Sequence, residues 1–259
     1  MKFVYEIKEK NYLIFTLIAV VFVIIFANFL DKSITIIVGN WIYTPITLLL
    51  VILSIKITKR NRLVGYLGKS WLLFTVATVC WFVAEHIWVV YELIYEIDPF
   101  PSEADIFWLA GYPFFFIFFV LYLQPMRKAI SKKMILYASL ISLSLLVVSL
   151  SVNYVEESEL TDVQFIIGIS YPISDVIILI PVILGMFLFF KSEVSLLWTL
   201  VFFGILSEII ADTLFLFFSL DSSYYTGHPI EILFLCTYVL LIFGVYHHIT
   251  LFETKARCI

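Results

Sequence analysis

Charge is what this sequence has least of: Asp, Glu, Lys and Arg supply only 14% of its 259 residues, against about one quarter in soluble globular domains. A soluble fold of this length cannot hide the 63% contributed by Ala, Val, Ile, Leu, Met, Phe, Trp, Tyr and Cys. Lipid is therefore the expected solvent for most of the chain. The net charge of −4 lacks the basic excess that a nucleic-acid partner calls for, so no nucleic acid is expected.

Other scarcities narrow the field further. The three cysteines, Cys80, Cys236 and Cys258, have no metal-site spacing and read as packing residues without a disulfide framework. The first apolar run has no small-residue cleavage site, so it reads as a helix that stays, not a signal peptide. There is no H-E-x-x-H, no G-x-S-x-G and no glycine-rich phosphate loop. No lysine sits in the interior of an apolar run, which disfavours a retinal Schiff base.

What is present is a series of long apolar runs, near residues 12–30, 41–58, 70–94, 105–124, 133–152, 163–190, 194–219 and 229–251. About 20 apolar residues cross the hydrocarbon core as a helix, and backbone groups in lipid have no water to bond. The expectation is an all-α polytopic membrane protein, one domain over 1–259, with a bundle of about eight helices. Basic residues collect in alternate connections: Lys2, Lys8 and Lys10; Lys56, Lys59, Arg60, Arg62 and Lys69; Arg127, Lys128, Lys132 and Lys133; Lys191; Lys255 and Arg257. Of the 16 Lys and Arg, Lys32 alone falls on the other side. By the positive-inside rule both termini are cytoplasmic, in a multi-pass protein of the cell membrane.

The acids do the reverse. Glu92, Glu96, Asp98, Glu103 and Asp105 surround one outer connection, and Glu156, Glu157, Glu159 and Asp162 occupy the next. Five more fall inside apolar runs: Glu85, Asp175, Glu208, Asp212 and Glu231. A carboxylate at the bilayer centre costs about 2.5–3.5 kcal/mol on insertion scales, so such acids are functional candidates by default. Glu85 lies about 15 residues, roughly 22 Å, above the cytoplasmic end of its helix, and the other four also lie outward of or near the midplane. Glu208 with Asp212, Tyr171 with Asp175, and Glu85 with Glu92 each share a helix face. Polar neighbours fit the same layer, including His86, Ser170, Ser174, Ser207, Thr213, Tyr224, Tyr225 and His228.

Two readings of these acids stand together: hydrogen bonds that hold helices to one another, or an outward-facing pocket for a cation or small ligand. A metal is undetermined, because Glu85-His86 is too short a match and a His86–His228 pair needs a contact that sequence does not supply. His247-His248 is expected at the interface. The many aromatics read as lipid-facing packing or as the wall of an apolar-ligand site. Pro113, Pro172 and Pro181 free backbone carbonyls within helices. A pattern of small residue, acid, three residues and Leu recurs at Ala104-Asp105, Ser174-Asp175 and Ala211-Asp212, and reads as convergence, not as a repeat.

The segments Asp98-Pro-Phe-Pro-Ser-Glu-Ala-Asp-Ile-Phe-Trp-Leu-Ala-Gly-Tyr-Pro113, Tyr171-Pro-Ile-Ser-Asp175, Glu208-Ile-Ile-Ala-Asp212 and Tyr224-Tyr-Thr-Gly-His-Pro229 resemble a multi-helix region at the N-terminus of prokaryotic signalling proteins. That region is the membrane-embedded sensor part of certain histidine kinases and GGDEF-type diguanylate cyclases, and the likeness covers about residues 65–251. In this chain the sequence stops where an output domain would start, so the resemblance implies a sensing module and no kinase or cyclase activity. Asp105, Asp175, Glu208, Asp212 and Pro229 transfer as motif positions without an assigned role.

The leading expectation is a stand-alone sensor-like module. Its pocket gathers Glu85, His86, Asp105, Tyr171, Asp175, Glu208, Asp212, His228 and Glu231, and a separate cytoplasmic partner reads its state. Its cofactor is undetermined, and assembly with further copies of itself is compatible with the pattern. The alternatives are a proton- or cation-coupled carrier, against which the lack of a convincing inverted repeat counts, and an intramembrane enzyme of lipid or isoprenoid chemistry using an acid pair for proton transfer.

Overall fold

The computed structural model describes residues 2–154, 161–220 and 222–257, with side chains from residue 10 to residue 252. Glu156, Glu157, Glu159 and Cys258 lie outside the described residues. The described chain is helical, with the order α1 (Lys2–Ala27), α2 (Lys32–Asn61), α3 (Gly65–Leu93), α4 (Glu103–Leu123), a 3₁₀ turn (Gln124–Ala129), α5 (Lys132–Val152), α6 (Asp162–Phe189), α7 (Ser195–Leu220) and α8 (Glu231–Arg257). All eight α-helices are long and apolar enough to cross a membrane.

Local chemistry sets several boundaries. The Asp31 side chain accepts from the Ser33 N–H at 3.2 Å and caps α2, so that helix begins at Lys32, well before the run that started near residue 41. Ser102 and Asp105 form a capping box at α4, and Thr161 with Gln164 forms another at α6. Each satisfies N–H groups that a helix start leaves unpaired. Pro113, Pro172 and Pro181 lie inside helices that continue through them.

Six helices close a ring. The neighbours run α2–α3–α4–α6–α7–α8 and back to α2, while α1 lies outside against α8 and α2, and α5 outside against α6 and α7. The outer helices present apolar faces: Phe15 and Phe22 of α1 and Leu136, Leu140 and Val148 of α5 are all exposed. The buried positions of α5 are instead small, Ala138, Ser142 and Ser149, the pattern by which apolar helices approach one another closely.

One half of the ring interior is filled with rings. Trp71, Phe74, Phe118, Tyr122, Trp198 and His248 interlock at centroid separations of 4.9–6.2 Å, geometry that favours edge-to-face contact. His247 and His248 are both buried. His248 shares a 3.1 Å hydrogen bond with the Tyr122 hydroxyl, so its ring packs toward the bundle interior. The plug seals the end of the ring that carries the α2–α3 and α6–α7 connections.

The opposite half is open, and above it the backbone packs closely. A Cβ on Gly39 would lie 2.6 Å from the Gly227 nitrogen, and Gly227 has φ +86, a conformation that L side chains seldom adopt. The loop before α8 therefore presses directly onto α2. Deeper down, a Cβ on Gly185 would stand 2.0 Å from the buried Trp198 ring, whereas one on Gly204 meets nothing nearer than 3.6 Å. Gly185→Ala is expected to lower stability by about 1–3 kcal/mol through overpacking, with Gly204→Ala neutral or better. Thermal unfolding of the purified variants checks the contrast, and equal behaviour of the two would contradict the plug geometry.

Candidate functional site: an acid and tyrosine cavity inside the ring

The open half of the ring encloses a cavity of about 80 Å³, several times the about 10–15 Å³ that one water needs. All six ring helices contribute to its wall. Five carboxyl groups line it, those of Glu85, Asp105, Glu208, Asp212 and Glu231, together with tyrosine and tryptophan rings and no Lys, Arg or His. A larger vestibule of about 500 Å³ lies beyond, bordered by Lys32, Glu92, Glu96 and Asp98. Trp88, Phe215, Tyr224 and Thr226 border both spaces and form the neck between them. There the Trp88 indole donates to the Thr226 hydroxyl at 3.0 Å and the Phe215 and Tyr224 rings meet edge-on at 4.6 Å.

Four of the five lining acids are held by phenols. Tyr238 donates to Glu85 at 2.6 Å, Tyr171 to Asp105 at 2.6 Å and Tyr112 to Asp212 at 3.0 Å. Glu231 accepts from Tyr43 at 2.5 Å on one oxygen and from Tyr224 on the other. Asp105 is engaged twice, since its second oxygen accepts from the Ser102 N–H at 2.7 Å as part of the α4 cap. Each pair joins different elements, so the hydrogen bonds lace α2, α3, α4, α6, α7 and α8 around the cavity. Glu208 differs: it is 6% exposed and its Oε2 has no hydrogen-bond partner. Asp175 is fully buried behind this wall beside the Asp212 carboxyl and the Tyr112 hydroxyl, in electrostatic contact with Asp212 and Glu208, although neither of its oxygens makes a hydrogen bond of ordinary geometry.

Of the sequence candidates, Glu85, Asp105, Tyr171, Glu208, Asp212 and Glu231 thus come together, and Asp175 stands beside them. His86 does not join. Its Nδ1 bonds the Phe82 carbonyl at 2.8 Å and its Nε2 faces Thr44 at 3.4 Å, because one step along α3 from Glu85 turns a side chain by about 100°. His228 is also outside the wall, tilted against the Phe218 ring and edge-on to Tyr225, with Nδ1 accepting from the Ile230 N–H at 3.3 Å. Burial holds the His228 imidazole below its ordinary value, whereas burial and then Glu231 hold the Tyr224 phenol well above its own. At neutral pH Tyr224 is therefore a proton donor and His228 uncharged. Ser170, Ser174 and Ser207 bond backbone carbonyls and do not reach the cavity. Among the described residues no group of three His, Cys, Asp or Glu is arranged to hold a metal ion.

The tyrosines are what sequence reasoning missed. Tyr43, Tyr112 and Tyr238 are not among the candidates that the sequence selects, although a signal exists: Asp105 and Tyr112 on α4, and Glu231 and Tyr238 on α8, are both seven apart and so share a face. The same two segments expose a relation between halves of the chain. Asp105-Ile-Phe-Trp-Leu-Ala-Gly-Tyr112 matches Glu231-Ile-Leu-Phe-Leu-Cys-Thr-Tyr238, and Ala84-Glu85-His-Ile-Trp88 matches Ala211-Asp212-Thr-Leu-Phe215. Exchanging α2–α4 with α6–α8 carries every ring neighbour onto another. The same exchange turns Tyr171–Asp105 into Tyr43–Glu231 and Tyr112–Asp212 into Tyr238–Glu85. The repeated unit is thus a same-sense half, distinct from the three acid patterns noted in the sequence.

No family model, curated protein or solved structure matches this chain.

A buried donor or acceptor left unpaired costs about 1–3 kcal/mol. Tyr171→Phe and Asp105→Asn are each expected to destabilise by about that amount, and the double variant by less than their sum. A double-mutant cycle on unfolding midpoints measures this coupling, and strict additivity would deny that the pair is a structural unit.

Proposed function

We propose that this protein is a multi-pass protein of the cytoplasmic membrane, with both termini inside, and that its central cavity binds a cation or small ligand arriving from the exterior. The observation that carries the reading is the gathering of five carboxyl groups around one cavity with no basic side chain in its wall. Charge of that density in apolar surroundings is stable only with protons, donors or a cationic occupant. The direction of access follows from the connections. The vestibule sits among Glu92, Glu96 and Asp98, with Lys32 the one base beside them, whereas the plugged end carries the Lys- and Arg-rich connections assigned to the cytoplasm.

Signalling is favoured over transport by the plug. A carrier must open its site alternately to both sides, and here the interlocked rings of Trp71, Phe118, Tyr122, Trp198 and His248 fill the cytoplasmic half. A sensor needs only a ligand with different affinity for two packings of the bundle. The neck offers the element to shift, since Tyr224 both borders the entrance and bonds Glu231 in the wall. This agrees with the resemblance to membrane-embedded sensor regions of histidine kinases and diguanylate cyclases. The output then comes from a separate cytoplasmic partner.

The second reading, a proton- or cation-coupled carrier, rests on Glu208 and Asp175, whose unpartnered oxygens resemble relay groups. Ligand-dependent thermal stabilisation of the purified protein decides for the first: cation- or ligand-induced shifts are expected in the wild type and lost in Asp212→Asn and Asp175→Asn. If no tested cation or ligand separates these variants from the wild type, the cavity is not a binding site. Substrate flux in proteoliposomes that vanishes in Glu208→Gln would replace the sensor reading with the carrier.

A further inference from the structure

The two halves of the ring agree in their acid–tyrosine pairs and disagree at two positions that matter. Tyr43 corresponds to Tyr171 and Glu85 to Asp212, as the hydrogen bonds already show. Four residues before Glu85 stands Trp81, and four before Asp212 stands Glu208; four after Tyr43 stands Thr47, and four after Tyr171 stands Asp175. In the first half both positions are satisfied internally. The Trp81 indole donates to the Trp108 carbonyl at 3.2 Å, and the Thr47 hydroxyl donates to the Tyr43 carbonyl at 2.8 Å. In the second half both are buried carboxyl groups with unpartnered oxygens. The paired acids have their donors already and make a frame. The orphans are where the duplicated frame departs from itself.

Resting on the cavity reading above, we infer that the occupant is a small protonated primary or secondary amine with an apolar or aromatic body, its ammonium held by Glu208. Three features select this class. Glu208 is 94% buried, lines the cavity beside the Thr237 hydroxyl, and has no hydrogen bond of ordinary geometry on Oε2, so that oxygen remains to be satisfied by an N–H or O–H donor. Asp212 and Asp175 stand at the same corner, so a cationic occupant can be balanced there by loss of a proton from the acid cluster, a counter-charge that a neutral alcohol does not use. The opposing wall is aromatic: Trp81 lies edge-on to Tyr112 at 5.8 Å and to Tyr238 at 5.7 Å, and Trp108 and Phe234 complete it. Such faces accept the alkyl or aryl part of the ligand and attract its charge.

The chemistry also ranks the competitors. A quaternary ammonium satisfies the rings but gives Glu208 no hydrogen, so the orphan acceptor stays unpaired. A bare metal ion wants several oxygen or nitrogen ligands at once, and the other cavity acids are already committed to phenols. A carboxylate- or phosphate-bearing molecule meets five acids and no base.

The test uses the full chain in lipid nanodiscs, with tryptophan fluorescence and thermal unfolding read against benzylamine, benzyltrimethylammonium, benzyl alcohol, Na⁺ and Ca²⁺. Benzylamine is expected to quench and stabilise, with at least tenfold weaker binding of the other two benzyl compounds and a tenfold or greater loss of benzylamine affinity in Glu208→Gln. The rank order in the wild type tests the claim even if that variant does not fold. Equal binding of benzylamine and benzyl alcohol, or benzylamine binding unchanged in a folded Glu208→Gln, overturns the amine assignment. If Na⁺ or Ca²⁺ stabilises the wild type but not Asp212→Asn while benzylamine does nothing, the amine is refuted and the cavity remains a binding site. Silence from every probe refutes both.

Discussion

A carboxyl group inside an apolar bundle needs a donor, and in this protein the donor is a phenol. Five acid–tyrosine contacts, on Glu85, Asp105, Asp212 and, twice, Glu231, each cross from one element to another. Tyrosine suits the task because its ring is apolar along its length and polar only at the tip. It can therefore pack as part of the core and deliver one hydrogen bond at the centre. A lysine or arginine in the same role would bring a charge of its own into the ring.

That constraint organises the rest of the structure. Because each phenol reaches across to a neighbouring element, the helices are kept at the separation that leaves the cavity open, while the other end of the ring closes on interlocked rings. The two outer helices, α1 and α5, contribute nothing to the cavity wall and pack only on the ring exterior. The neck borrows its residues from both halves: Trp88 and Phe215 occupy corresponding positions on α3 and α7, and their rings lie 6.4 Å apart. Tyr224 adds the connection from neck to wall through Glu231.

The duplicated frame gives the departures their meaning. Where two halves share a design, a residue that satisfies itself in one half and is left unpaired in the other marks a place where packing alone did not choose the side chain. Glu208 opposite Trp81 and Asp175 opposite Thr47 are the clearest cases. Elsewhere the halves differ conservatively, as with Tyr122 and His248, which occupy matching positions on α4 and α8 and bond to each other.

Sequence alone determined the eight helices, since runs of apolar residues near the length of a bilayer crossing leave few other folds, and it selected the acids, since charge is costly wherever the chain is apolar. It also held, unread, the seven-residue spacing of acid and tyrosine on α4 and α8. Tertiary structure decided which side chains meet. Nothing in a single helix tells that Tyr43 belongs to Glu231 or Tyr112 to Asp212, because those partners lie on helices remote in the chain and are joined only when the ring closes. The same closure separated Glu85, which enters the cavity, from His86 beside it, and left Glu208 without the partner that its neighbours found. Helical periodicity fixes a face but not what that face will touch, and the chemistry of this site is a property of the contacts between faces.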